Sequence, residues 1–184
     1  ISSFNNNEDF HKKTASIIFN KDIKFISEEE RQQGKTVNFS ILYGASLRNI
    51  LKDDNLIFKL KQHFKETLAK KDEFFKTIIN YQVITPFKRT LSLKKLDEEA
   101  KRKAFNFYIQ STANDLVFTF VVSLIKQIQI DKKKIFLYNI IHDASIFELT
   151  INDINYLEQT ANNVLSKIKF DWLKTGLSLS FKKE

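Results

Sequence analysis

The segment from Ser27 to Gly44, SEEERQQGKTVNFSILYG, constrains the chain most because it carries its own start and stop. Ser27 followed three residues later by Glu30 is the pattern of a capping box, in which hydroxyl and carboxylate satisfy amides that a first helical turn leaves bare. Glu28, Glu29 and Glu30 fall where the helix dipole is positive, and Gly44 suits the left-handed residue that ends a helix. The helix predicted over 27 to 43 places Arg31, Lys35, Phe39 and Tyr43 at four-residue steps, on one stripe that drifts by about 40° per step. At a rise of about 1.5 Å per residue, Arg31 and Phe39 stand roughly 12 Å apart, close to the length of a triphosphate and its sugar. Arg offers phosphate oxygens a planar fork and Lys a point charge, while an aromatic ring packs on sugar and base. On spacing alone, an amphipathic helix with a solvated basic edge and core aromatics meets the same pattern.

The rest of the chain reads as α+β. One proline and three glycines leave few breakers. Residues 9 to 19 are predicted as a short helix and 46 to 53 as a shorter one. A longer helix within 55 to 80 carries Leu56, Leu60, Phe64 and Leu68 at i+4 steps. Residues 81 to 93 form an extended excursion around Pro86 with a basic tip. Helix resumes at Asp97, pauses near Tyr108 to Gln110, and continues through 115 to 128. Strands at 135 to 141 and 145 to 150 close over His142, Asp143 and Ala144; a helix over 153 to 168 and a last strand over 173 to 181 follow.

Thirty Lys and Arg against 22 Asp and Glu give a net charge of +8, which favours polyanionic partners. Without cysteine, disulfides and Cys-based zinc sites are excluded, and with three scattered histidines any metal is expected on carboxylates. The longest apolar run, Leu116 to Ile125, is short of the roughly 18 residues of a spanning helix, so no membrane partner is expected. A start at Ile1 with no methionine leads us to expect a piece of a longer protein.

Three spaced patterns together carry a resemblance. Arg31, Lys35, Phe39, Tyr43 and Gly44 resemble motif B of the family A DNA polymerases, R-x-x-x-K-x-x-x-F-x-x-x-Y-G. Upstream, Asp9-Phe10-His11-Lys12-Lys13-Thr14-Ala15 resembles the family's D-[IF]-H-x-x-T-A segment. Arg102, Asn106 and Gln110, followed by Ser111-Thr112-Ala113-Asn114-Asp115, resemble its R-x-x-x-N-x-x-x-Q-x-T-A-x-D stretch. His142-Asp143 between apolar strands is similar to motif C, with Ala144 where glutamate is usual. Thr85-Pro86-Phe87-Lys88-Arg89 sits like the family's T-x-x-G-R-R stretch but has no glycine.

The resemblance implies a template-directed DNA polymerase, with fingers over 1 to 95 and a palm portion over 96 to 184. It implies that His11, Arg31, Lys35, Phe39 and Tyr43 bind the deoxynucleoside triphosphate (dNTP), and that Asp143, Lys35 and His142 are catalytic. Arg102, Asn106, Gln110, His142, Lys88 and Arg89 would contact primer-template DNA, Asp115 serving structure. Asp143 would bind metal, with two Mg²⁺ ions as cofactors and a further ligand carboxylate outside this chain. The family's motif A, near D-Y-S-x-I-E, has no match in the sequence. The expected partner is therefore an N-terminal portion of the same polymerase carrying motif A and thumb, and the chain alone is expected to be inactive. Phe39 in place of tyrosine implies rejection of dideoxynucleotides. An intracellular setting is expected, its bacterial, viral or organellar origin undistinguished. A catalytically inactive nucleic-acid-binding module with a polymerase fold, and a relative of the single-subunit RNA polymerases, are the competing expectations.

Overall fold

Local capping sets the first elements in the computed structural model, which describes residues 8–44, 46–141, 143–173 and 177–182. Helix α1 (Phe10–Phe19) starts at Asp9, whose carboxylate accepts from the His11 and Lys12 amides, and stops at Asn20 in the left-handed region. Helix α2 (Glu28–Tyr43) has the expected capping box: Ser27 and Glu30 bond each other's backbone amides, and Gly44 closes the far end at φ 77°. A Cβ at Gly44 would lie 3.1 Å from Arg102 Cγ and 3.2 Å from Lys71 Nζ, flexible side chains that can shift, so it is the left-handed conformation that favours glycine there. Lys71 donates to the Leu42 carbonyl at 2.9 Å, satisfying an acceptor that the last turn of α2 leaves bare.

Two predicted helices differ from what forms. Residues 46 to 53 make only a 3₁₀ turn over Leu47–Asn49, and the helix expected within 55 to 80 is two, α3 (Asp54–His63) and α4 (Lys65–Lys76). The apolar series runs on across the break because Leu60 and Phe64 enter the same core with Val37, Ile41 and Ile57. No glycine or proline marks that break.

The chain divides into two units. The first comprises residues 1–84 and 90–108 and holds α1 to α4, the small antiparallel pair β1 (Gln82–Ile84) and β2 (Thr90–Ser92), and the start of α5 (Glu98–Ile130). Phe74 packs α4 onto that start, with ring centroids 5.3 Å from Phe105 and 4.9 Å from Tyr108. The second unit comprises 85–89 and 109–184. It combines the rest of α5, the hairpin β3 (Phe136–Ile141) and β4 (Ala144–Glu148), and α6 (Ile154–Lys167). Leu124, Ile128, Ile135, Leu157, Ala161 and Val164 form its core. The hairpin register pairs Phe136 with Glu148 and Ile141 with Ala144, with an irregularity between Leu137 and Asn139.

The fold class is α+β, as expected. Three details are corrected. Helix α5 is continuous through 108 to 110, because Tyr108 and Gln110 contain nothing that breaks a helix. Residues 177–182 form no strand: a strand needs a neighbour for its amides and carbonyls, and none of the described residues pairs with them. Helix α5 is also long and apolar enough to cross a membrane by length and composition, with an 18-residue window of mean hydropathy 1.2. Val121, Leu124 and Ile128 of that apolar stretch are buried within the fold.

Candidate nucleotide-binding face and turn carboxylate

Glycine at position 34 is what brings α1 and α2 together. A Cβ there would stand 2.3 Å from the His11 carbonyl oxygen and 2.9 Å from the Ala15 nitrogen, closer than a carbon can approach backbone. Ala15 is fully buried on the facing side. The close approach seats His11 beside the α2 stripe, its ring centroid 6.0 Å from that of Phe39. Phe39 stacks on Tyr43 at 5.8 Å, and Lys35 Nζ stands 5.8 Å from the Phe39 centroid. Arg31 donates through Nε to Asp9 Oδ2 at 2.7 Å and through Nη1 to Glu28 at 3.1 Å. His11, Arg31, Lys35, Phe39 and Tyr43 thus share one face, on which Phe39 is 41% exposed.

Asp9 ties this face at one corner. One oxygen caps α1 and the other holds Arg31, so the helix that carries His11 and the first cation of α2 are fixed to a single carboxylate. Partial burial opposes its ionisation, but the Arg31 hydrogen bond and the α1 amides hold the carboxyl below its ordinary value. Burial pushes the His11 imidazole down, Arg31 and Lys35 push the same way, and Asp9 opposes them. Lys35 makes no ion pair among the described residues. The arrangement offers an anion a free ammonium, a neutral imidazole and the unused N–H groups of a guanidinium, beside a stack of two aromatic rings.

Beneath the face runs a buried polar link that the sequence reading did not single out. Thr14 Oγ donates to Asn38 Oδ1 at 2.7 Å, and Asn38 Nδ2 lies 2.8 Å from His11 Nδ1. The available signal was a polar residue among α2 positions that face inward with Gly34, Val37 and Ile41, since a buried amide needs partners. Asp9, Thr14 and Gly34 were likewise present in the quoted patterns but had no role until the helices were seen packed.

The other expected contact residues lie on α5, the 85–89 segment and the β3–β4 hairpin. Arg102, Asn106 and Gln110 follow one another at helical steps along α5; Arg102 and Gln110 are exposed, whereas the Asn106 Oδ1 is buried with no hydrogen-bond partner among the described residues. In the second unit, Asp143 is exposed in the turn of the β3–β4 hairpin, and Ala144 belongs to β4 rather than to the turn. His142 lies outside the described residues. Lys88 is exposed with φ at 67°. Arg89 is engaged: its Nε and Nη2 each reach an Asp115 oxygen at 2.8 Å, a bidentate pair that gives Asp115 a structural role.

No group of three His, Asp or Glu side chains able to hold a metal forms among the described residues. Mg²⁺ takes about six oxygen ligands, and the described residues gather no such set around Asp143.

Comparison with known proteins covers the whole of this arrangement. The model of DNA polymerase family A matches residues 1–182. DNA polymerase I of Caldicellulosiruptor bescii is 28% identical over 165 residues, which are 80% of this chain and 19% of that protein. DNA polymerase I of Aquifex aeolicus is 27% identical over 167 residues, 80% of this chain and 28% of that one. The chain therefore spans less than a third of the length of either relative. The POL domain of Pol1 from M. smegmatis, solved in complex with DNA primer-template and dNTP, has the same fold: it superposes with a TM-score of 0.76 at 23% identity, covering 92% of this chain and 33% of that one. Matched from end to end of its described residues, the chain belongs to DNA polymerase family A.

Proposed function

We propose that the chain is part of a template-directed DNA polymerase, fingers over 1 to 95 and palm portion over 96 to 184, that adds deoxynucleotides to a primer 3′-hydroxyl. The observation that carries this reading is the α1–α2 clasp, which gathers His11, Arg31, Lys35, Phe39 and Tyr43 on one face. Lys35 and His11 hold phosphate oxygens, and Arg31 adds its remaining N–H groups without leaving Asp9. Phe39 and Tyr43 receive sugar and base. Arg102, Asn106 and Gln110 face the minor groove, whose N3 and O2 acceptors occur in every base pair, so they sense pair shape rather than sequence. Lys88 meets backbone phosphate; Arg89 does so only after exchanging Asp115 for the phosphate. His142 is assigned to the primer side and Asp143 to metal.

Mg²⁺ ions held there would lower the pKa of the attacking hydroxyl and would offset charge on the leaving pyrophosphate. Asp143 supplies one carboxylate and an N-terminal portion of the polymerase supplies the rest. Exposed apolar side chains in the second unit support such a partner: Phe118 and Val122 on α5, and Phe136, Tyr138, Ile141 and Ile146 on the hairpin, are surface that another part of a domain would cover. The M. smegmatis complex supports primer-template and dNTP as ligands.

Primer extension tests the reading. With Mg²⁺ and four dNTPs, the chain joined to the segment that precedes it is expected to extend a primer, and the chain alone is not. Extension by the chain alone would refute the split of the site. DNA binding without extension by the joined protein would point to an inactive binding module.

A further inference from the structure

Asn38 stands one residue before Phe39 in α2, is buried, and bridges two side chains of α1. An amide nitrogen only donates, so the 2.8 Å contact from Asn38 Nδ2 requires His11 Nδ1 to accept, which leaves the ring's proton on Nε2. The amide faces the fully buried Thr14 hydroxyl with Oδ1, at 2.7 Å the shorter of that hydroxyl's two acceptor contacts, the other being the Phe10 carbonyl at 3.1 Å. The geometry points to Asn38, aligned by Thr14, as a positioning residue that holds His11 as the Nε2–H tautomer, so that His11 meets a triphosphate oxygen as a hydrogen-bond donor.

Its functional half rests on the nucleotide-binding reading; its tautomeric half rests on the hydrogen bonds alone. The opposite tautomer would turn the Nε2 lone pair toward phosphate oxygens, which are acceptors too, and the contact would repel. Reversing the amide would also require the Thr14 hydroxyl to turn its proton to the Phe10 carbonyl, 3.1 Å away, which is its other acceptor. The charged groups around the ring are Arg31 and Lys35 of α2 and Asp9 at the start of α1. Burial and the two cations disfavour the imidazolium and Asp9 favours it, so the neutral ring that the tautomer requires is the form the site prefers.

Nitrogen-15 NMR of the histidine rings in this chain tests the assignment. His11 is expected to show a protonated Nε2 and an unprotonated Nδ1. Thr14→Val, which keeps side-chain shape but releases the amide, is expected to mix the tautomers, and Thr14→Ser to restore one. Asn38→Asp, whose carboxylate only accepts, is expected to move the proton to Nδ1. An Nδ1–H ring in the unaltered chain, or a tautomer unmoved by Thr14→Val and Asn38→Asp in folded protein, would overturn the proposal. Adding a dNTP separates the two readings. If the His11 signals hold their tautomer but do not respond to triphosphate, the positioning stands and nucleotide binding at this face fails.

Discussion

Replacing Gly34 with alanine is expected to part α1 from α2, lowering stability by roughly 3 kcal/mol, the upper end of overpacking costs, and abolishing nucleotide binding. The added carbon would stand 2.3 Å from the His11 carbonyl oxygen, and the other near atoms belong to Ala15. All are backbone or short side chain, so no flexible chain end can swing aside. Relief must come from moving a helix. That motion breaks three links at once: Asp9 to Arg31, Asn38 to His11, and Thr14 to Asn38. Thermal unfolding should show a loss of roughly ten degrees, at about 2–4 °C per kcal/mol for a chain of this size. An unchanged melting temperature with intact hydrogen-exchange protection of α1 would mean that the helices do not approach at Gly34.

Asp143→Ala, placed in the chain joined to its N-terminal portion, is expected to reduce primer extension by about 10³-fold or more, since a carboxylate proposed to hold metal would take several kcal/mol of charge stabilisation with it. Stability should change little, because Asp143 is exposed in a hairpin turn. DNA and dNTP affinity should stay within a few-fold, since neither the α1–α2 face nor the α5 stripe is altered. Extension within tenfold of the unaltered protein would remove Asp143 from the reaction. It would leave the hairpin as a binding element.

How much could be read in advance depended on how local the cause was. The capping box at Ser27, the stop at Gly44 and the two β-rich runs of the hairpin were legible because neighbouring residues determine them. The break at Phe64 was not, because Leu56, Leu60, Phe64 and Leu68 keep helical spacing on both sides of it and no glycine or proline marks it. Of the strand expected at 173 to 181, residues 174 to 176 lie outside the described residues and 177 to 181 form none: alternation is a pattern of side chains, whereas a strand is made by its partner. At the candidate face, the stripe from Arg31 to Tyr43 was visible as spacing. That Arg31 answers to Asp9, twenty-two residues earlier, and His11 to Asn38, twenty-seven residues later, depends on the packing of two helices that no local pattern contains.

Titrating the chain with a dNTP and with the corresponding unphosphorylated nucleoside, for the natural sequence and for Lys35→Ala, asks whether the α1–α2 face grips a triphosphate. The expected result is binding of the triphosphate well ahead of the nucleoside, and a loss of roughly ten- to a hundredfold in affinity on removing the Lys35 ammonium, the worth of a charge-assisted contact. Equal affinity for nucleoside and triphosphate, or indifference to Lys35→Ala in folded protein, would contradict it.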